Sequence, residues 1–191
     1  MTRALVLLAA ALVATGAARA AGGPVVVIDP GHDARANLAT EPIGPGSTTR
    51  KIKDGGGTHG VVTGIGEPDL TLDVSLRLRR LLRAAGVRVV MTRTTTAGAS
   101  MGNVARARIA NASGAALFLR VHADGASSAS ARGTHTLTPA LRRGWTDDVY
   151  RSSRRAAALV QAELVRAPSG SRTAASRSAR TSPASTGRTC R

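Results

Sequence analysis

The sequence predicts an α/β domain in three layers, a mostly parallel, twisted sheet flanked by helices. Two observations carry that expectation. Short apolar runs rich in β-branched residues alternate with longer segments of helical periodicity, the β-α-β-α-β rhythm that builds parallel sheets. Two of the runs also end alike, each with a histidine just past its last residue: Asp29-Pro30-Gly31-His32 closes one, and His122-Ala123-Asp124-Gly125 closes the other. Open α/β sheets build their sites outside the carboxyl ends of their strands.

Taken in order, residues 25–28 are Val-Val-Val-Ile, a composition suited to a strand buried on both faces. Residues 34–66 form a polar stretch rich in Gly, Thr and basic residues, read as a long loop, either a functional lid or disordered. Residues 68–85 predict a helix whose apolar face is Leu70, Val74, Leu78, Leu81 and Leu82, with Pro68 in its first turn and Gly86 at its stop. A second strand follows at 87–92, a short helix at 103–112, and the strand at 117–121 that delivers His122. Residues 133–138 alternate like an outer strand. Residues 147–166 form a last helix with Val149, Ala156, Leu159, Val160 and Leu164 largely inward.

The first twenty residues read as an export signal: Arg3, an apolar stretch from Ala4 to Ala14, then Ala18-Arg19-Ala20 as a cleavage site. That stretch is too short for a stable bilayer span, so the mature chain is expected to be soluble, monomeric and secreted, periplasmic or wall-associated. Residues 21–168 suffice for one domain with a real core. Residues 169–191 lack apolar periodicity and read as a disordered basic tail. The single cysteine, Cys190, excludes an internal disulfide framework and a cysteine-based zinc site. A net charge of +16 invites a nucleic-acid reading, but aromatic content of 2% leaves few platforms for stacking bases. Much of the excess charge sits in the tail, beyond Glu163. An exported basic chain is better matched to the anionic polymers of a cell wall.

His32, Glu67 and His122 are the candidate metal ligands. Singly, each has a plainer role: a hydrogen-bonded loop histidine, a carboxylate at a helix N-terminus, a polar turn. Together they fall at element ends on the side where a parallel sheet opens. Two imidazoles and a carboxylate with an open fourth position suit catalytic zinc. Asp29 or Asp124 could orient a ligand imidazole. His59 and His135 read as structural or substrate-edge residues. A rival reading takes Gly98-Ala99-Ser100-Met101-Gly102 as a serine nucleophile motif followed by Asp124 and His135. Its context lacks the required tight strand-to-helix turn.

These residues resemble the zinc-dependent N-acetylmuramoyl-L-alanine amidases of bacterial cell walls. The matching pieces are the segment ending in His32, Glu67 opening a helix, the strand ending in Arg93, Arg106 to Asn111, and Leu119 to Asp124. The resemblance implies a three-layer α/β fold, zinc held by His32, Glu67 and His122, and peptidoglycan as substrate, cut between muramic acid and L-alanine. Arg93 and Asn111 match motif positions and read as structural. The family uses a second glutamate, at the end of a C-terminal strand, as general base, and no such residue is recognisable here: the only glutamates are Glu41, Glu67 and Glu163. A frame-shifted translation of 169–191, written with GC-rich codons, resembles the family's approach to that strand. The expected function is therefore zinc-dependent amide hydrolysis, impaired in this chain. The alternative is a non-catalytic, zinc-containing wall-binding or regulatory protein, or more remotely a serine hydrolase using Ser100.

Overall fold

Val25–Pro30 (β1) becomes the central strand because its residues can be buried on both faces, and all six are. The computed structural model describes residues 23–166 except 129 and 132. The signal-like segment 1–20 and the tail 169–191, with Cys190, lie outside the described residues. After β1 come β2 (Asn37–Pro42), β3 (Arg50–Asp54), α1 (Glu67–Ala84), β4 (Arg88–Met91), α2 (Asn103–Ala112), β5 (Leu117–Val121) and α3 (Asp147–Arg166). The main sheet is parallel in the order β4-β1-β5, with Val26 paired to Val89 on one side and to Leu117 on the other.

Alternation along β1 divides the core in two. Val25 and Val27 pack with Ala110 of α2 and with Ala115, while Val26 and Ile28 pack with Leu82 of α1 and with Val87 and Val89. Helices therefore cover both faces, and the three-layer expectation holds. Gly86 stops α1 in the left-handed region, at φ 79°, where only glycine is free of strain.

Three expectations need correction. The segment 34–66 is not one loop: β2 and β3 form an antiparallel hairpin within it. Its strands carry little apolar alternation because one buried glutamate and one buried aspartate fasten it to the domain. Glu41 of β2 accepts from the backbone N–H groups of Asn103 and Val104 at 2.6 and 3.2 Å, capping α2, whose own N-cap, Gly102, has no side chain to do so.

The buried face of α1 is also rotated from the expected one. Thr71, Ser75 and Leu82 are buried, with Leu78 packed beside them, whereas Leu70 and Val74 are exposed. Near the site end the helix needs polar inward residues, and Thr71 Oγ1 donates to the Gly31 carbonyl at 2.9 Å.

Residues 133–138 are not a strand. Gln161 of α3 holds them instead, donating to the Thr134 carbonyl at 3.1 Å and accepting from Thr136 Oγ1 at 2.9 Å. In α3, Val149 and Ala156 are buried and Val160 and Leu164 half-buried, as expected, and Leu159 is 37% exposed.

Candidate metal centre

The strand order places the carboxyl ends of β1 and β5 side by side. Gly31 N–H donates to the Val121 carbonyl at 2.7 Å, tying the two ends one residue before each histidine. Glu67 reaches the same place from the first turn of α1. Each of His32, Glu67 and His122 offers one ligand atom, and these atoms lie within 4.8 Å of one another. His122 Nδ1 stands 3.0 Å from Glu67 Oε1, and His32 Nε2 stands 3.6 Å from Glu67 Oε2. The two imidazoles meet edge to face, with centroids 5.0 Å apart.

The carboxylate at the centre is kept charged. Burial alone would raise the Glu67 pKa, but the Ala123 N–H and the neighbouring His32 and His122 rings outweigh it and hold the group below its ordinary value. Thr58 adds a backbone N–H at 3.1 Å. His122 is pushed below the usual histidine value by burial, Arg120 and His32, with Glu67 opposing. A neutral imidazole and an ionised carboxylate are the forms that coordinate metals. The donor set of two nitrogens and an oxygen fits a zinc ion.

The turn carrying His32 is braced by buried charge. Arg106 donates to Asp29 and to Asp33, both at 2.6 Å, and to the Pro30 carbonyl at 3.0 Å. Arg93 donates to the Gly31 and Pro68 carbonyls at 2.9 and 2.8 Å, linking the β1 turn to the start of α1. His32 itself adopts φ 54°, uncommon for a residue other than glycine.

A family model described as N-acetylmuramoyl-L-alanine amidase matches residues 26–185, most of the chain and all three of these residues. The chain belongs to the N-acetylmuramoyl-L-alanine amidase family. It is 36% identical over 116 residues to an N-acetylmuramoyl-L-alanine amidase of Mycobacterium tuberculosis, covering 59% of this chain and 46% of that one. Its fold is similar to the crystal structure of the N-acetylmuramyl-L-alanine amidase from Mycobacterium smegmatis, with TM-score 0.57 and 29% identity over 68% of this chain and 62% of that one. The corresponding amidase from Mycobacterium abscessus gives TM-score 0.51 and 30% identity, over 55% and 50% of the two chains. The chain spans about half the length of the curated relative it matches.

Within the amidase family's site, several residues stand elsewhere than expected. Asp29 does not orient an imidazole; it binds Arg106 and Arg120, each at 2.6 Å. Asp124 pairs with His135 Nε2 at 3.0 Å on the surface. The carboxylate that meets a candidate ligand imidazole is instead Asp54, whose Oδ1 lies 2.6 Å from His32 Nδ1. It escapes a sequence reading because it ends a polar hairpin strand with no fixed spacing to its partner. His135 does pair with Asp124, but Ser100 donates to Asp54 Oδ2 at 3.0 Å and not to His135, so the structure does not support the serine-nucleophile reading. Arg93 is structural, as expected. Asn111 lies exposed near the end of α2, and His59 forms an isolated bridge to Gly66 ahead of Glu67.

Proposed function

We propose that this chain binds zinc through His32, Glu67 and His122 and acts on the amide between N-acetylmuramic acid and L-alanine in peptidoglycan. The convergence of those three donors at the carboxyl end of the parallel sheet carries the reading. When bound, zinc supplies Lewis acidity to the scissile carbonyl and acidifies a water molecule to a pKa of about 7. The chain's own part is to present the ligands ready-made. Glu67 stays ionised through the Ala123 and Thr58 amides, and His32 turns Nε2 toward it while Nδ1 is engaged by Asp54. The N-terminal segment is proposed as an export signal that brings the chain to the cell wall.

Turnover is proposed to be impaired. All three glutamates of the sequence are committed: Glu41 caps α2, Glu67 sits among the ligands, and Glu163 pairs with Arg166. Loss of a general base costs on the order of 10²–10⁴ in rate. That commitment also favours the second reading, a zinc-containing protein that binds wall glycan without cutting it.

Incubation of the purified chain with peptidoglycan, with and without a chelator, separates these readings. Chelator-sensitive release of stem peptides with free L-alanine termini supports the amidase. Zinc and glycan binding without release supports the binding protein. Release that persists in chelator overturns the zinc mechanism.

A further inference from the structure

We propose that Asp54 is a positioning residue that fixes His32 for metal binding, and that Ser100 holds Asp54 in place. The inference rests on the zinc reading above. Asp54 is buried at the end of β3, and four donors converge on its two oxygens. Oδ1 accepts from His32 Nδ1 at 2.6 Å and from the Gly56 N–H at 2.9 Å. Oδ2 accepts from the Asp33 N–H at 2.8 Å and from Ser100 Oγ at 3.0 Å. With both oxygens engaged, the carboxylate has one orientation, and it accepts the Nδ1 proton of His32. The metal-facing lone pair is thereby placed on Nε2, which faces Glu67 Oε2 at 3.6 Å. A carboxylate behind a ligand imidazole fixes its tautomer and raises its basicity.

The donors come from separate parts of the chain. Asp33 follows β1, Gly56 follows β3, and Ser100 lies in the connection before α2. That connection is itself tied to the hairpin, because Asn37 Nδ2 donates to the Ser100 carbonyl at 3.0 Å. Asp33 also accepts from the Met101 N–H at 2.9 Å. The hairpin therefore bears on the metal centre through one side chain, and Ser100 acquires a role that needs no nucleophilic chemistry.

The test compares the wild-type chain with Asp54→Ala, Asp54→Asn and Ser100→Ala. Zinc affinity is read by competition with a chromophoric chelator, and the His32 tautomer by ¹⁵N NMR of the metal-free protein. Asp54→Ala is expected to weaken zinc about 10–100-fold and to abolish the single Nδ1–H tautomer. Asp54→Asn keeps an accepting carbonyl, so it restores the tautomer with only part of the affinity. Ser100→Ala produces the smallest loss.

A purely structural role would lower the melting temperature of Asp54→Ala while leaving affinity and tautomer untouched, and that result overturns the proposal. If Asp54→Ala does not fold, Asp54→Asn decides alone: wild-type zinc affinity in it overturns the proposal, and a several-fold loss with the tautomer kept supports it. If the wild-type chain binds no zinc, the reading of the site falls, and the His32 tautomer in wild type and variants still decides the role of Asp54.

Discussion

The two histidine-bearing strand ends are built differently. His32 leaves the central strand and is backed by Asp54, with Arg93 and Arg106 bracing the turn beneath it. His122 leaves β5, which pairs only with β1 among the described strands, and its side chain is 35% exposed against 25% for His32. One wall of the site is set by the core. The other is tied by the stitch between Gly31 and Val121, by Arg120 on the same Asp29, and by Glu67 and Thr58 on Ala123. The two imidazoles are thus held by different means, one by a carboxylate behind its ring and the other by the ligand carboxylate it faces.

Breaking the rigid wall should have the largest effect on the fold. Arg106→Met leaves Asp29 and Asp33 buried beside an apolar side chain, and removing one partner of a buried ion pair costs roughly 3–5 kcal/mol. Denaturant unfolding measures it, and a loss under about 1 kcal/mol would mean that the network does not brace the turn. Gly31→Ala attacks the boundary between the walls. A Cβ there would lie 2.6 Å from the His122 ring and 2.7 Å from the Val121 carbonyl. Overpacking of this kind costs about 1–3 kcal/mol, and zinc affinity should fall with stability as the ring is displaced.

Acid should separate the walls in sequence. His122 titrates below its ordinary value in the fold, so the unfolded chain takes up that proton first. Stability of the metal-free protein should begin to fall as pH drops below about 6.5. Asp54 is also lowered: burial opposes, but the Gly56 N–H, His32, the Asp33 N–H and Ser100 prevail. Its contribution, with that of Glu67, is present above pH of about 4 and is lost as pH falls through the folded values. A melting-temperature profile from pH 8 to 3 should show both steps, with the first absent in His122→Ala. A profile flat down to pH 5 would contradict the first step. The smallest change in fold is expected for His122→Ala itself, within about 1 kcal/mol, because Glu67 keeps the Ala123 and Thr58 amides. Zinc binding should nonetheless be lost, as isothermal titration would show.

What the sequence discloses follows from the same contrast. The sheet strands and the two long helices were legible because burial on apolar faces writes a periodic pattern, and β5 falls where that pattern puts it; α2 lies where it was expected although its buried residues are Arg106, Ala107 and Ala110. His32, Glu67 and His122 were legible because they stand at element ends. The β2–β3 hairpin was not, since Glu41 and Asp54 anchor it by hydrogen bonds that leave no apolar alternation. The rotation of α1 was hidden for a related reason: Leu70 and Val74 satisfy a helical period equally well whether they face in or out. Residues 133–138 alternate as a strand would, yet their hydroxyls answer to Gln161 on a helix.

The left-handed backbone of His32 constrains how the metal centre can be taken apart. Alanine at that position removes the imidazole and also pushes the chain toward a different turn, so its defect confounds two causes. Asparagine and glycine tolerate this conformation. They are the replacements that would silence the ligand while leaving the bend that aims it intact.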